Sequence, residues 1–202
     1  MTAPVVACDF DDVLFDFNRG FCAFHNERYG TTVAYEDIYT FDMQQVWQLS
    51  PEDILTRVHQ FYHSPGSHWT PPIPGSVEAL HQLRKTYSLE IVTSRSQGLQ
   101  QVTQEYVDRF VPDTFKRIHV TNGFGGTEGA SVRTKSEVCV EIGAVLLIED
   151  APKHAEEVAS KGIPVLMPDR PWNRDRTPEG VTRFHSWDEA VSLIEDHRVR
   201  MS

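Results

Sequence analysis

The chain has 202 residues, 40% of them hydrophobic and 24% charged, which suits one globular unit with an insertion or two small ones, with enough length to bury a proper core. Nineteen basic against 29 acidic residues give a formal net charge of −10. That argues against a nucleic-acid polymer or an anionic membrane surface as partner, since both want a basic face, and leaves room for a small phosphorylated substrate met by a local cation.

The apolar run Val5-Val6-Ala7-Cys8 stops abruptly at Asp9-Phe10-Asp11-Asp12. A short β-branched run of this kind reads as a buried strand, and buried parallel strands place ligands at their carboxyl ends. Two carboxylates one residue apart raise each other's proton affinity unless a cation lies between them; hard oxygen ligands suit Mg²⁺, and an acidic solvated turn is the plain alternative. Phe15 to Tyr29 reads as a helix with Phe17, Phe21 and Phe24 on one face and Gly30 as its stop. Ser50-Pro51-Glu52-Asp53 is a helix start, Ser at the cap and Pro at the first position, continued by Ile54, Leu55, Val58 and Phe61. Ser64-Pro65-Gly66-Ser67 reads as a turn. No strand-like alternation occurs here, so residues 18–73 are expected to form a small helical insertion.

Pro71 to Gly75 breaks structure and Ser76 opens a helix to about Tyr87. Strands are predicted at Leu89–Val92, Arg117–Val120, Ala144–Ile148 and Ile163–Met167. Between them lie helices at about Gly98–Phe110, Thr134–Ile142 and Ala151–Lys161, the last closed by Gly162. Residues 122–130 hold four glycines and read as a loop without a dinucleotide-binding pattern. Phe184 to Asp188 leads into a last helix. Strands alternating with helices predict a doubly wound α/β fold with a parallel sheet. Cys8, Cys22 and Cys139 show no metal-ligand spacing and read as reduced thiols. With no basic-then-apolar leader and no apolar run of membrane-span length, a cytoplasmic protein without membrane partner is expected. Oligomeric state is left open, a homodimer included.

Three strands thus end in polar chemistry: Asp9/Asp11, Thr93/Ser94 and Glu149/Asp150, with Lys135 on the helix before the fourth strand. Each has a bland explanation: a helix cap for Thr93-Ser94, a solvated lysine for Lys135, a helix N-terminus favouring acids for Glu149-Asp150. Together and in this order they resemble motifs I to IV of the haloacid dehalogenase (HAD) phosphatases. Asp9-Phe10-Asp11-Asp12-Val13-Leu14-Phe15-Asp16-Phe17, Pro72-Ile73-Pro74-Gly75, Val92-Thr93-Ser94 and Ile148-Glu149-Asp150 resemble the 5′(3′)-deoxyribonucleotidase branch most.

The resemblance implies a Rossmann-like HAD core from residues 1–17 and 74–202 with a small helical (C1-type) cap at 18–73, and a Mg²⁺-dependent phosphomonoester hydrolase working through an aspartyl phosphate. It implies Asp9 as nucleophile, Asp11 as general acid and base, and Thr93, Ser94 and Lys135 as phosphate holders. Asp9, Asp11 through its backbone carbonyl, and Asp150 would hold the metal, with Glu149 in contact with it or one step behind. A nucleoside 5′-monophosphate leads as substrate; a sugar phosphate or other organic phosphate is the enzymatic alternative, and a non-catalytic HAD-like scaffold the alternative from another class. Phe17 either lines a base pocket or packs in the core. The motif departs from the common family pattern at Asp12, where Gly is frequent, and at Val13. Arg95 departs too, and would either bind a further anionic group or pair with a carboxylate. His59, His63 and His68 match no zinc spacing. Trp47 and Trp69 are core or substrate platform, and Arg170 to Arg176 is a polar loop, at the rim of the site or simply solvated.

Overall fold

The computed structural model describes residues 3–124 and 131–201, without the side chains of residues 68, 69 and 197–201. Most of the predicted glycine loop after Asn122, and the side chains of His68 and Trp69, therefore lie outside the described residues. Six strands form one parallel sheet: β1 (Val5–Cys8), β2 (Ser88–Thr93), β3 (Phe115–Val120), β4 (Ala144–Ile148), β5 (Val165–Pro168) and β6 (Val181–Phe184), in the order β3-β2-β1-β4-β5-β6. The chain runs outward from β1 through β2 to β3, then returns to the other side of β1 with β4. The order reverses between β1 and β4, and that switch point is where a doubly wound sheet opens a crevice at its carboxyl edge.

Alternation along the strands feeds two cores. Val6 and Cys8 of β1, Leu89 and Ile91 of β2, and Leu146 and Ile148 of β4 join the larger cluster; Ala7, Val92, Ala144 and Leu147 point into the smaller one. Period two with both faces buried explains why these strands read as unbroken apolar runs. The larger face is covered by α5 (Ser76–Leu83), α6 (Gln100–Phe110) and α9 (Trp187–Met201), through Leu80, Leu83, Val107 and Ile194. The smaller face is covered by α7 (Lys135–Glu141) and α8 (Pro152–Ala159), through Val138, Cys139, Ala155 and Val158.

Between β1 and α5 the regular elements are helical: α1 (Phe17–Tyr29), α2 (Met43–Trp47), α3 (Pro51–Tyr62) and α4 (Pro65–Trp69), with a 3₁₀ turn at Tyr35–Asp37. Gly30 ends α1 in the left-handed region at φ 67°. Ser50 caps α3, its side chain accepting from Asp53 N, with Pro51 in the first turn. The aromatic face holds the segment together: Phe21 lies 5.1 Å from Trp47 and 5.8 Å from Phe61, both edge-on. Trp47 is buried, so of its two readings the core one is what the structure shows. Gly20 permits the close approach of α1 to α3 and α4, because a Cβ there would lie 2.6 Å from Thr70 Oγ1 and 2.8 Å from Phe61 Cζ.

Four expectations are corrected. Ser64–Ser67 is not a plain turn: Ser64 caps the short helix α4, its Oγ accepting from Ser67 N. The strand β6 was not expected, because its residues Val-Thr-Arg-Phe carry a burial pattern of partial exposure and read as the approach to α9. Helix α5 stops at Leu83 rather than near Tyr87, Arg84 capping it before the turn into β2. The stretch from Arg170 to Arg176 is only in part a polar loop: Pro171–Asn173 is a 3₁₀ turn whose Trp172 and Asn173 are buried, Trp172 at the cavity as the rim reading has it, while Arg174 to Arg176 are exposed.

Candidate active site

Asp9 follows β1 directly, and its N–H donates to Ile148 O of β4 at 2.8 Å, so the strand ladder itself carries it to the switch point. Glu149 and Asp150 follow β4 beside it, and Thr93, Ser94 and Arg95 follow β2 on the other side. Lys135 is the first residue of α7, whose N-terminus is fixed by a capping box between Thr134 and Glu137; the Thr-x-x-Glu spacing specifies that start. From there the Lys135 ammonium reaches Asp9 Oδ1 at 2.7 Å and Glu149 Oε2 at 2.5 Å, with all three side chains buried. The sequence-predicted residues Asp9, Asp11, Thr93, Ser94, Arg95, Lys135, Glu149, Asp150 and Phe17 all line one cavity of about 480 Å³, a size suited to a small organic ligand.

The charges in this cavity do not balance. Carboxylate oxygens of Asp9, Glu149 and Asp150 lie within 4.8 Å of one another, and Lys135 supplies one positive charge against their three. Burial, then the charge of Glu149, push Asp9 up to about 7, with Lys135 only partly countering. Burial works against Glu149 too, but Lys135 and His154 outweigh it and hold Glu149 down at about 2. Asp150 is raised well above the usual carboxylate range by burial and by Glu149 and Asp9. For Lys135 burial is outweighed by its two carboxylates, which raise it and keep it charged. A buried set of hard oxygen donors with an unmet formal charge of −2 fits a divalent cation.

Arg95 and Asp11 form a fork. Nε donates to Oδ2 at 2.9 Å and Nη2 to Oδ1 at 2.7 Å, while Nη1 donates to Thr103 Oγ1 at 2.9 Å. Arg95 thus pairs with a carboxylate, one of the two uses open to it on sequence. Thr93 is buried, its Oγ1 accepting from Arg95 N at 3.2 Å, and Ser94 O accepts from Phe124 N. Phe17 serves both readings: it lines the cavity and also packs on Phe21, Phe61 and Tyr62 at 5.5–5.7 Å.

Several residues of the site were not singled out from the sequence. Tyr62 of α3 donates its hydroxyl to Asp11 Oδ1 at 3.2 Å. Trp172 Nε1 donates to Asp150 Oδ2 and Asn173 Nδ2 to Asp150 O, each at 2.8 Å. His154 Nδ1 lies 3.8 Å from Glu149 Oε1; a signal was available here, since His154 sits in the first turn of α8, the helix that begins just after Asp150. Asp12 adopts φ 58°, the left-handed region that favours Gly and where Asp is among the tolerated residues. Its carboxylate accepts from Asn18 N at 3.0 Å and Asn18 Nδ2 at 2.7 Å, capping α1 in place of Asp16.

The sequence profile of the 5′ nucleotidase, deoxy (pyrimidine), cytosolic type C proteins matches residues 3–201, nearly the whole chain. The chain belongs to that nucleotidase family. A protein of Halalkalibacterium halodurans named as a candidate nucleotidase is 24% identical over 178 residues, 87% of this chain and 85% of that one. Among solved structures, a haloacid dehalogenase-like hydrolase from Streptococcus pneumoniae superposes with a TM-score of 0.69 at 15% identity, covering 95% of this chain and 98% of its own. A candidate HAD hydrolase of Bacillus subtilis, in a magnesium-bound form, superposes with a TM-score of 0.61 at 14% identity, covering 96% of this chain and 99% of its own. The likeness to these structures is one of fold: this nucleotidase-family chain shares the Rossmann-like α/β architecture of those haloacid dehalogenase-like hydrolases. Among its described residues no helix is long and apolar enough to cross a membrane.

Proposed function

We propose that this nucleotidase-family enzyme hydrolyses a small phosphate monoester, a nucleoside 5′-monophosphate first among them, through a phosphorylated Asp9. The observation that carries the reading is the buried constellation Asp9, Lys135, Glu149 and Asp150 at the sheet's switch point, with Asp11 at the edge of the same cavity. Phosphate monoesters hydrolyse very slowly in water, and a carboxylate nucleophile divides the reaction into two easier steps. In the first, an Asp9 oxygen forms a bond to phosphorus while the bond to the leaving oxygen breaks, and Asp11 gives that oxygen its proton. In the second, water attacks the same phosphorus, Asp11 takes the water's proton and is again the acid, and the Asp9–phosphorus bond breaks to release phosphate and restore the Asp9 carboxylate.

Asp9, Asp150 and the backbone carbonyl at Asp11 would hold Mg²⁺, with Glu149 beside it, and the ion when bound supplies charge stabilisation to the transferring phosphoryl group. Lys135 neutralises Asp9 for its approach to an anionic phosphate, and the Thr93 and Ser94 groups donate to phosphate oxygens as preorganised dipoles. We read residues 18–73 as the cap that sets the substrate and the remainder as the chemical core. Phe17, Ile38, Phe41, Ile54 and Val58 give the cavity an apolar wall opposite its charged floor, which suits an aromatic base attached to a phosphate better than a sugar phosphate.

A panel of nucleoside monophosphates, sugar phosphates and aryl phosphates, assayed for released phosphate with Mg²⁺ and with excess chelator, tests this. Mg²⁺-dependent release led by nucleoside 5′-monophosphates, and none from Asp9→Asn, is the expected result. Near-native turnover by Asp9→Asn removes Asp9 as nucleophile, and a lead by sugar phosphates removes the nucleotide.

A further inference from the structure

Asp11 is held by two residues. One is Arg95, buried against rings: its guanidinium carbon lies 4.2 Å from the Tyr62 ring centroid and 4.3 Å from that of Phe10. The other is Tyr62, through its hydroxyl, on helix α3, 51 residues away in sequence. A carboxylate has about four acceptor positions, two on each oxygen. Among the described residues, Oδ1 receives Arg95 Nη2 and Tyr62 Oη, whereas Oδ2 receives only Arg95 Nε. Asp11 nevertheless keeps 23% of its side chain exposed, towards the cavity. A bidentate guanidinium fork fixes the plane of a carboxylate as well as its place, so here the plane and the lightly engaged oxygen are both set.

We infer that Arg95 and Tyr62 are positioning residues for proton transfer: they present Asp11 Oδ2 to the leaving oxygen, and Tyr62 makes that presentation depend on the seating of α3. The inference rests on the reading of Asp11 as general acid. The proton passes from Oδ2 to the oxygen whose bond to phosphorus breaks, Oδ1 keeping its two donors throughout, and Oδ2 regains a proton from the attacking water in the second half. Because Tyr62 lies in the apolar helical segment and Arg95 at the end of β2, the orientation is assembled only when the two regions meet.

A leaving group that departs readily needs no proton, and one that departs reluctantly does. The test is therefore kcat and KM for a series of aryl phosphates, from dinitrophenyl to unsubstituted phenyl, with Asp11→Asn as the reference. Tyr62→Phe, which removes one hydroxyl, and Arg95→Lys and Arg95→Ala are compared with it. General acid–base groups contribute typically ~10²–10⁴-fold; Asp11→Asn is expected to lose on that order with phenyl phosphate and far less with the dinitrophenyl ester. Arg95→Ala should show the same tilt at roughly 10-fold or more, Tyr62→Phe a smaller one, and Arg95→Lys partial recovery, in kcat rather than KM. Equal losses across the series in the Arg95 and Tyr62 variants, with Asp11→Asn tilted, overturn the positioning role alone. An Asp11→Asn variant without tilt overturns the acid and this inference with it. If Arg95→Ala fails to fold, Tyr62→Phe and Arg95→Lys decide.

Discussion

The two walls of the cavity are built on opposite principles. Its floor, at the carboxyl ends of β1, β2 and β4, is a set of polar and ionisable groups fixed by backbone: Asp9, Thr93, Glu149 and Asp150 end or follow strands, Lys135 opens a helix, and these are buried. Its roof, from α1 to α3 and the turn before α2, is apolar and held by ring packing. Charged groups in low dielectric gain most from exact placement and lose most from slack, so they sit where the ladder hydrogen bonds leave none. Apolar contacts are non-directional, so a wall that only selects shape can be made of packed side chains on helices.

The sharpest way to break that contrast is at Lys135. Lys135→Ala should lower turnover by roughly 10²–10³ on every substrate alike, the scale of losing one preorganised donor, and should lower thermal stability because Asp9 and Glu149 then remain buried without their cation. A substrate-selective loss would mean that the floor also reads the organic group. Phe17→Ala addresses the roof. A stacked base is worth ~1–3 kcal/mol, so KM for a nucleoside monophosphate should rise by about 5- to 150-fold with a small change toward phenyl phosphate. A uniform loss in the folded variant would return Phe17 to a packing role.

A smaller effect separates the regions without any substrate. Mg²⁺ added to the apo protein should raise its melting temperature through the floor, since binding to the folded state alone stabilises it, and Asp150→Ala should reduce that rise. No rise at millimolar Mg²⁺ would count against the cation site. The helical segment should instead answer to acid. His25 is buried, and burial together with the Arg57 guanidinium, whose Nη1 lies 2.8 Å from Nε2, pushes it down to about 4. Its native value lies below its ordinary one, so the unfolded chain binds the proton first. Stability from His25 is intact above pH ~6.5 and is lost as pH falls toward 4, by up to about 3 kcal/mol. Melting of wild type and His25→Gln across that range checks it: the wild type should lose more.

What could be read in the sequence follows the same division. The floor was legible because its residues are punctuation: carboxylates and hydroxyls ending apolar runs, and a lysine on the helix before the fourth strand. Local chemistry and strand order then suffice to bring Asp9, Thr93, Lys135 and Asp150 to one crevice. The helical segment was legible as helix and as apolar face, but not in its cross-contacts. Tyr62 reaching Asp11 and Arg95 forking it span 51 and 84 residues, and no periodicity encodes which tip of a side chain meets which. The β6 strand was missed because an edge strand with half-exposed residues carries a weak pattern, and the 3₁₀ turn at Pro171 because its arginines mask two buried neighbours. Asp12 was visible as a departure, but not the two hydrogen bonds that its carboxylate accepts from the Asn18 amide and side chain.

Trp172 has a consequence of a different kind. Its indole N–H is bonded to Asp150 Oδ2 at 2.8 Å in a buried setting, with the Tyr35 ring edge-on at 5.7 Å. Indole fluorescence is sensitive to the electric field of a neighbouring charge, and the field here comes from a carboxylate that a cation would draw upon. The protein thus carries an optical reporter wired to its own candidate metal ligand. Emission followed during a Mg²⁺ titration should change in wild type and not in Trp172→Phe, giving the affinity of the site with no substrate and no label.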